Sequence, residues 1–139
     1  MTGSAARDKI KYYLSEYPGV SYREEDSSIA VPPSSGQGFE VRLSEEKGFY
    51  LVYGDGWHER FEMKDWKEAA GCFMGSLTSE VRVKVWARGS FKYRWIMERY
   101  EGRMWVPLSM TSLVFFPFWK PKRIFHLQND RINRKSGDA

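Results

Sequence analysis

The strongest constraint on the fold is a two-residue alternation that runs through three consecutive segments between residues 81 and 110. Val81, Val83 and Val85 alternate with charged or aromatic residues, and the same period continues over 91–98 and 103–110. Because successive side chains of a strand point to opposite faces, this pattern predicts half-buried β-strands. Short glycine-containing turns separate the segments, so the three strands are predicted to form an antiparallel meander.

The turn lengths also predict the register of this meander. A three-residue turn at 88–90 pairs Val85 with Tyr93, and a two-residue turn at 101–102 pairs Trp95 with Leu108. Both registers direct apolar residues, including Leu108 and Met110, toward the core. The opposite face then carries cationic and indole side chains, which are Arg82, Lys84, Trp86, Lys92, Arg94, Arg103 and Trp105.

The first 80 residues predict two helices and several shorter strands. Apolar residues recur at helical spacing over 5–17 and again over 65–77. Alternation predicts a strand over 39–43, and the apolar run over 49–53 predicts a central strand. The Gly54-Asp55-Gly56 turn then returns the chain into a further strand from Trp57.

Together these elements predict an α+β fold in which a mainly antiparallel sheet of about six to eight strands carries two helices on one face. The predicted order is helix, strands, helix, strands. Residues 20–31 give either two short strands or one irregular edge, and 113–127 add one irregular closing strand. We expect a single domain over 1–127 and a polar, flexible tail over 128–139.

Composition excludes several classes of protein. A hydrophobic fraction of 42% with 17% aromatic residues excludes a disordered chain, because so much apolar surface requires burial. The only cysteine, Cys72, cannot form an internal disulfide. The longest apolar run, Leu113–Trp119, is far shorter than the about 20 residues that span a bilayer. We therefore expect a cytoplasmic protein with no secretory signal and no transmembrane segment.

The two halves of the chain carry opposite charge. Residues 1–80 hold 9 Lys/Arg against 14 Asp/Glu, a net charge of −5, whereas residues 81–139 hold 13 against 4, a net charge of +9. Such asymmetry indicates either an acidic partner or a polarised surface. A further alternative is that the two halves attract each other, within one chain or across a dimer.

The basic face of the meander is the leading candidate site. Cations around exposed indoles suit an acidic protein surface, or a nucleic acid whose phosphates meet the cations while bases stack on Trp86 and Trp105. The alternative is a solvated sheet face without a partner, which antiparallel sheets commonly have. The two tryptophans could also lie beneath the C-terminal segment, which would remove the site.

A second candidate is the aromatic run at 115–123, where Lys120, Lys122 and Arg123 adjoin four large side chains. These are Phe115, Phe116, Phe118 and Trp119. Its composition resembles that of an interfacial membrane anchor or a peptide-docking strip. We expect the run to be a closing strand buried against the sheet, and the alternative is a homodimer interface.

Catalytic and metal-binding patterns are weak. His58 with Asp55 or Glu59 is the minimum set for general acid–base chemistry in a small hydrolase or isomerase, but a surface histidine beside a turn is the preferred interpretation. His58, His126 and Cys72 have no metal-ligand spacing, so no metal or cofactor is predicted. The order of hypotheses is therefore a non-enzymatic binding module, an assembly protein, and an enzyme.

Overall fold

The computed structural model describes residues 5–130, and these residues form two helices and nine strands. The helices are α1 (Ala5–Leu14) and α2 (Trp66–Gly75), the second preceded by a 3-10 turn at Met63–Asp65. The first five strands are β1 (Arg23–Glu25), β2 (Ser28–Val31), β3 (Val41–Glu46), β4 (Phe49–Gly54) and β5 (Trp57–Glu62). The last four are β6 (Val81–Arg88), β7 (Phe91–Glu101), β8 (Met104–Ser112) and β9 (Lys122–Gln128).

Strands β1 to β5 form an antiparallel meander in chain order, here called sheet I. The apolar run of β4 is buried on one side only: Tyr50 and Val52 are buried, while Phe49, Leu51 and Tyr53 are partly exposed. Helix α2 packs on β3, β4 and β5, and the backbone N–H of Ala6 in α1 donates to the Tyr50 hydroxyl at 3.4 Å. The helices thus cover the apolar face of sheet I.

Each helix buries the stripe that its spacing predicts. In α1 the buried residues are Ala6, Ile10 and Leu14, four residues apart. The helix ends three residues before the predicted boundary, because the bonds Glu16 N–H to Tyr13 C=O and Tyr17 N–H to Leu14 C=O tighten its last turn.

Strands β6 to β9 form a second antiparallel sheet, sheet II, in the order β8-β7-β6-β9. After β8 the chain crosses the end of the sheet over 113–121, and β9 pairs with the far side of β6. The inner face of sheet II buries Val83, Val85 and Met97 in the same apolar core as the helices and sheet I. One continuous core therefore joins both sheets.

The α+β class and the two helices are confirmed, but the prediction of one sheet with six to eight strands is wrong. Nine strands in the described chain form sheets of five and four. The physical reason is that β6 is paired on both sides, by β7 and β9, and leaves no free edge for β5. Residues 20–31, for which the sequence allows two short strands or one irregular edge, contain the two short strands β1 and β2.

The predicted register of the C-terminal meander is also wrong. Both turns have two residues, and each hairpin contains an irregularity, between Trp86 and Ala87 in one and opposite Leu108 in the other. Val85 therefore pairs with Trp95 rather than with Tyr93. Such bulges add one residue to one strand only and cannot be read from turn length. As a result Leu108 and Met110, predicted to face the core, are 47% and 59% exposed.

The C-terminal boundaries differ as well. The closing strand β9 begins only at Lys122, and the predicted flexible tail starts too early, because Gln128 ends β9 and Asn129 is fully buried. The Asn129 carboxamide accepts from Phe39 N–H at 3.1 Å, and donates to Phe39 C=O at 2.9 Å and to Ser76 C=O at 3.1 Å. It links β9 to the loop before β3 and to the end of α2. Residues 131–139 of that tail lie outside the described chain.

Candidate binding face

The outer face of sheet II is the side of the sheet opposite the core. Because Val83, Val85 and Ala87 are buried, alternation along β6 directs the intervening residues outward. Arg94 of β7 lies opposite Trp86, and Trp105 of β8 lies opposite Tyr100. The predicted residues that this face brings together are Arg82, Lys84, Trp86, Arg94 and Trp105.

Cations on this face lie over the indole rings. The Arg82 guanidinium carbon is 4.1 Å from the centre of the Trp105 ring. The Lys84 ammonium is 4.9 Å from the Trp86 ring, and the Arg94 guanidinium carbon is 5.4 Å from it. Each such contact stabilises its geometry by about 0.5–1 kcal/mol at partly exposed sites. The two tryptophan rings therefore hold these cations in position, and the cations cover part of each ring face.

The charges on the outer face are only partly neutralised. Arg82 donates through Nε to Glu98 at 2.7 Å. Within residues 5–130, no carboxylate forms an ion pair with Lys84 or Arg94. The Nε atoms of Arg94 and of the neighbouring Arg88 are buried without a hydrogen-bond partner there. These two buried donors therefore have an unmet hydrogen-bonding demand.

His126 adds a titratable group to this face. His126 of β9 pairs with Lys84 of β6, and this pairing places the imidazole beside the cations. Partial burial and the nearby charge of Arg82 lower the pKa of His126 below its usual value, with Lys84 adding to the effect and Glu98 opposing it. The neutral imidazole therefore predominates at neutral pH. This placement could not be predicted from the sequence, because it depends on the long-range pairing of β6 with β9.

Two predicted members of the site lie elsewhere. Lys92 lies opposite Ala87, on the inner side, because of the irregularity at the end of β6. Its ammonium forms an ion pair with Asp55 at 2.9 Å. Arg103 lies in the turn between β7 and β8 with a φ angle of 74°, so the turn, not the strand alternation, determines its direction.

The segment 113–121, here called the aromatic loop, is not the buried strand that we expected. Phe116 is the residue of this loop that packs against sheet II. The Phe116 ring stacks on the Tyr93 ring, with centroids 4.1 Å apart and an interplanar angle of 11°. Phe115, Phe118 and Trp119 are exposed.

The residues suggested for acid–base chemistry do not all meet at one site: Asp55 and His58 line a pocket of about 250 Å³ at the turn between β4 and β5, and Glu59 lies outside it. The Asp55 carboxylate is bound by Lys92 and accepts from Trp95 Nε1 at 2.8 Å. His58 and Glu59 are consecutive in β5, and strand geometry directs them to opposite faces. Only Glu59 of the two lines the cleft described next.

A cleft of about 320 Å³ lies where α2 meets β5 and the inner side of β7. Its acidic residues are Glu59, Glu68 and Glu80, and Cys72 lies among them. Burial, with the nearby Glu59 charge, raises the pKa of Cys72 to about 12, so the thiol is not a nucleophile at neutral pH. No group of three metal-ligating side chains occurs within residues 5–130. The sequence analysis did not identify this cleft, because its lining comes from segments far apart in the chain.

In the part of the chain that the structure describes, neither helix has the length and apolar character needed to cross a membrane. Comparison of the chain with protein-family models, curated proteins and solved structures finds no match.

Proposed function

We propose that this protein is a non-enzymatic binding module whose outer face of sheet II binds an acidic macromolecule. The observation that carries this proposal is the group formed by Lys84 and Arg94 over the Trp86 ring. Both cations are held by the indole, and neither has a carboxylate partner within the described chain. An anionic partner would complete their hydrogen bonding.

Pre-organisation supports this proposal. Lysine and arginine side chains lose considerable rotamer freedom when they bind, and the Trp86 ring already restricts both of them. Arg94 is only partly buried, so its guanidinium group can donate to a phosphate or carboxylate oxygen, and charge-assisted bonds of this type contribute about 1.5–3 kcal/mol each. The surrounding sheet is rigid, because β6 and β7 are central strands of sheet II.

Nucleic acids and acidic proteins both offer the required oxygen atoms. We would therefore measure fluorescence anisotropy with labelled single- and double-stranded DNA and RNA, and with labelled poly-glutamate, between about 50 and 200 mM salt. We expect binding of at least one polyanion that weakens steeply as the salt concentration rises, because each neutralised phosphate releases counterions. The preferred probe identifies the class of partner.

The decisive variant is Lys84→Glu with Arg94→Glu, which should weaken binding by more than about tenfold. Its matched control is Lys47→Glu with Lys64→Glu, which changes the net charge equally at two exposed lysines of the acidic half. Equal losses in the two variants would show that only net charge matters, and would reject a specific face. Absence of binding to every polyanion at low salt would also reject the proposal.

A further inference from the structure

The aromatic loop exposes an unusual amount of apolar surface. Val114 is fully exposed, and the exposed fractions of Phe115, Phe118 and Trp119 are 73%, 66% and 65%. Phe118 and Trp119 contact each other edge to face with ring centroids 5.3 Å apart. Contiguous exposed patches of large apolar side chains mark interaction surfaces on globular proteins.

The loop is held in this exposed conformation by the rest of sheet II. Leu113 N–H donates to Tyr93 C=O at 2.8 Å, and Gly89 N–H donates to Pro121 C=O at 2.9 Å. Between these two ends, the Phe116 ring stacks on Tyr93. The backbone is therefore fixed at both ends and near its middle, while the exposed rings project away from the sheet.

The charge around the loop selects the kind of partner. Residues 102–129 contain no Asp or Glu, and Lys120, Lys122 and Arg123 directly follow the exposed rings. Arg88 approaches the same end of the sheet, where its Nη1 donates to Lys120 C=O at 3.3 Å. In a two-fold contact between copies, the same patch meets itself, so these cations would face one another unfavourably. An anionic surface would attract them.

From the exposed rings and the acid-free basic segment beside them, we propose that the aromatic loop docks onto an anionic lipid bilayer. Phe115, Phe118 and Trp119 enter the interfacial layer, where aromatic rings are favoured. Lys120 and Lys122 remain at the level of the lipid phosphates, and each such cation strengthens binding to anionic membranes about fivefold. The loop adjoins the outer face of sheet II at Arg88 and Lys122, but its aromatic side chains are not part of that face, so the inference does not depend on the function proposed above.

The test is co-sedimentation of the full chain with vesicles of phosphatidylcholine alone or with about 30 mol% phosphatidylglycerol. We expect binding to the anionic vesicles that is at least about tenfold stronger than to the neutral ones. The triple variant Phe115→Ser, Phe118→Ser, Trp119→Ser should lose it. The control Tyr12→Ser should retain it, since Tyr12 is a 60% exposed aromatic residue on α1.

A charge variant tests the contribution of the cations beside the loop without changing any aromatic ring. Lys120→Glu with Lys122→Glu should weaken vesicle binding by more than about tenfold, whereas Lys47→Glu with Lys64→Glu should not. Circular dichroism and the unfolding midpoint should stay unchanged in these variants, because the altered side chains are exposed.

Three results would overturn the inference. One is the absence of binding to anionic vesicles by the folded wild-type chain. Another is equal binding by the wild type and the triple Ser variant. The third is a concentration-dependent dimer in sedimentation that the triple variant abolishes, which would assign the patch to self-association. Oligonucleotide and poly-glutamate binding are measured on the same triple variant, so failure here is distinguishable from failure of the outer face of sheet II.

Discussion

Gly56 shows how one small residue determines how closely the two sheets approach. A Cβ atom at this position would overlap the indole of Trp95 in sheet II. The sequence predicts a tight turn from Gly54-Asp55-Gly56, but the left-handed conformation is adopted by Asp55, with a φ angle of 58°. Gly56 is therefore required for close packing against Trp95 and not for a positive φ angle.

Replacing Gly56 by Ala should lower the free energy of unfolding by about 1–3 kcal/mol, because the added methyl overpacks the contact with Trp95. The control is Gly71→Ala in α2, where a Cβ would meet nothing within 4 Å. That change should raise the free energy of unfolding by about 0.5–1 kcal/mol, because alanine favours the helix. Urea denaturation measures both values, and an unaffected Gly56→Ala protein would contradict the packing argument.

Lys84 and Lys92 show why single positions of the site could be predicted only in part. Both lie in alternating segments beside a tryptophan or tyrosine, and the sequence places both on the basic face. The structure keeps Lys84 there and directs Lys92 to Asp55. The extra residue Tyr93, at the irregularity near the end of β6, shifts the alternation of β7, so Lys92 and Arg94 lie on opposite sides of the sheet.

The hairpin of β4 and β5 is the element that connects sheet I to sheet II. Its turn places Asp55 under Trp95 Nε1 and Lys92. In β5, Trp57 Nε1 donates to Ser109 Oγ at 2.8 Å, and His58 N–H donates to Thr111 Oγ1 at 3.1 Å. Asp55 and the backbone of His58 thus belong to a polar joint between two sheets that share no strand pairing.

Asp55→Ala should lower the free energy of unfolding by about 1–3 kcal/mol, because the buried Trp95 Nε1 loses its acceptor. Lys92→Met should cost less than about 1 kcal/mol, since its ion pair is partly exposed and the Trp95 bond remains. Denaturant unfolding followed by tryptophan fluorescence compares them. Equal losses would show that the ion pair, and not the indole bond, stabilises the joint.

The complete protein is organised around one apolar core to which both helices and both sheets contribute. Asn129 closes this arrangement from the C-terminal end of β9. Its Oδ1 accepts from Phe39 N–H at 3.1 Å and from Ser34 N–H at 3.3 Å, while its Nδ2 donates to Phe39 and Ser76 carbonyls. A side chain in the segment predicted to be flexible therefore satisfies buried backbone groups of two distant loops.

Asn129→Ala should lower the free energy of unfolding by about 2–5 kcal/mol, because several buried backbone groups lose their partners together. The control is Asp130→Ala, at the exposed neighbouring position, which should change it by less than about 0.5 kcal/mol. Circular dichroism and tryptophan fluorescence should report the same single transition, since both sheets share the core. Separate transitions in the wild type would show that the sheets unfold independently.

Local patterns in the sequence determined the α+β class, both helices, most strand positions and the cationic character of the C-terminal half. These properties depend on side-chain periodicity and on turn residues within a few positions of one another. Only the tertiary structure decided the division into two sheets, the bulges, the position of β9 beside β6 and the exposure of the aromatic loop. The physical reason is that these features arise from contacts between residues far apart in the chain, such as Phe116 on Tyr93 and Asp55 with Trp95, whose energies no local pattern encodes.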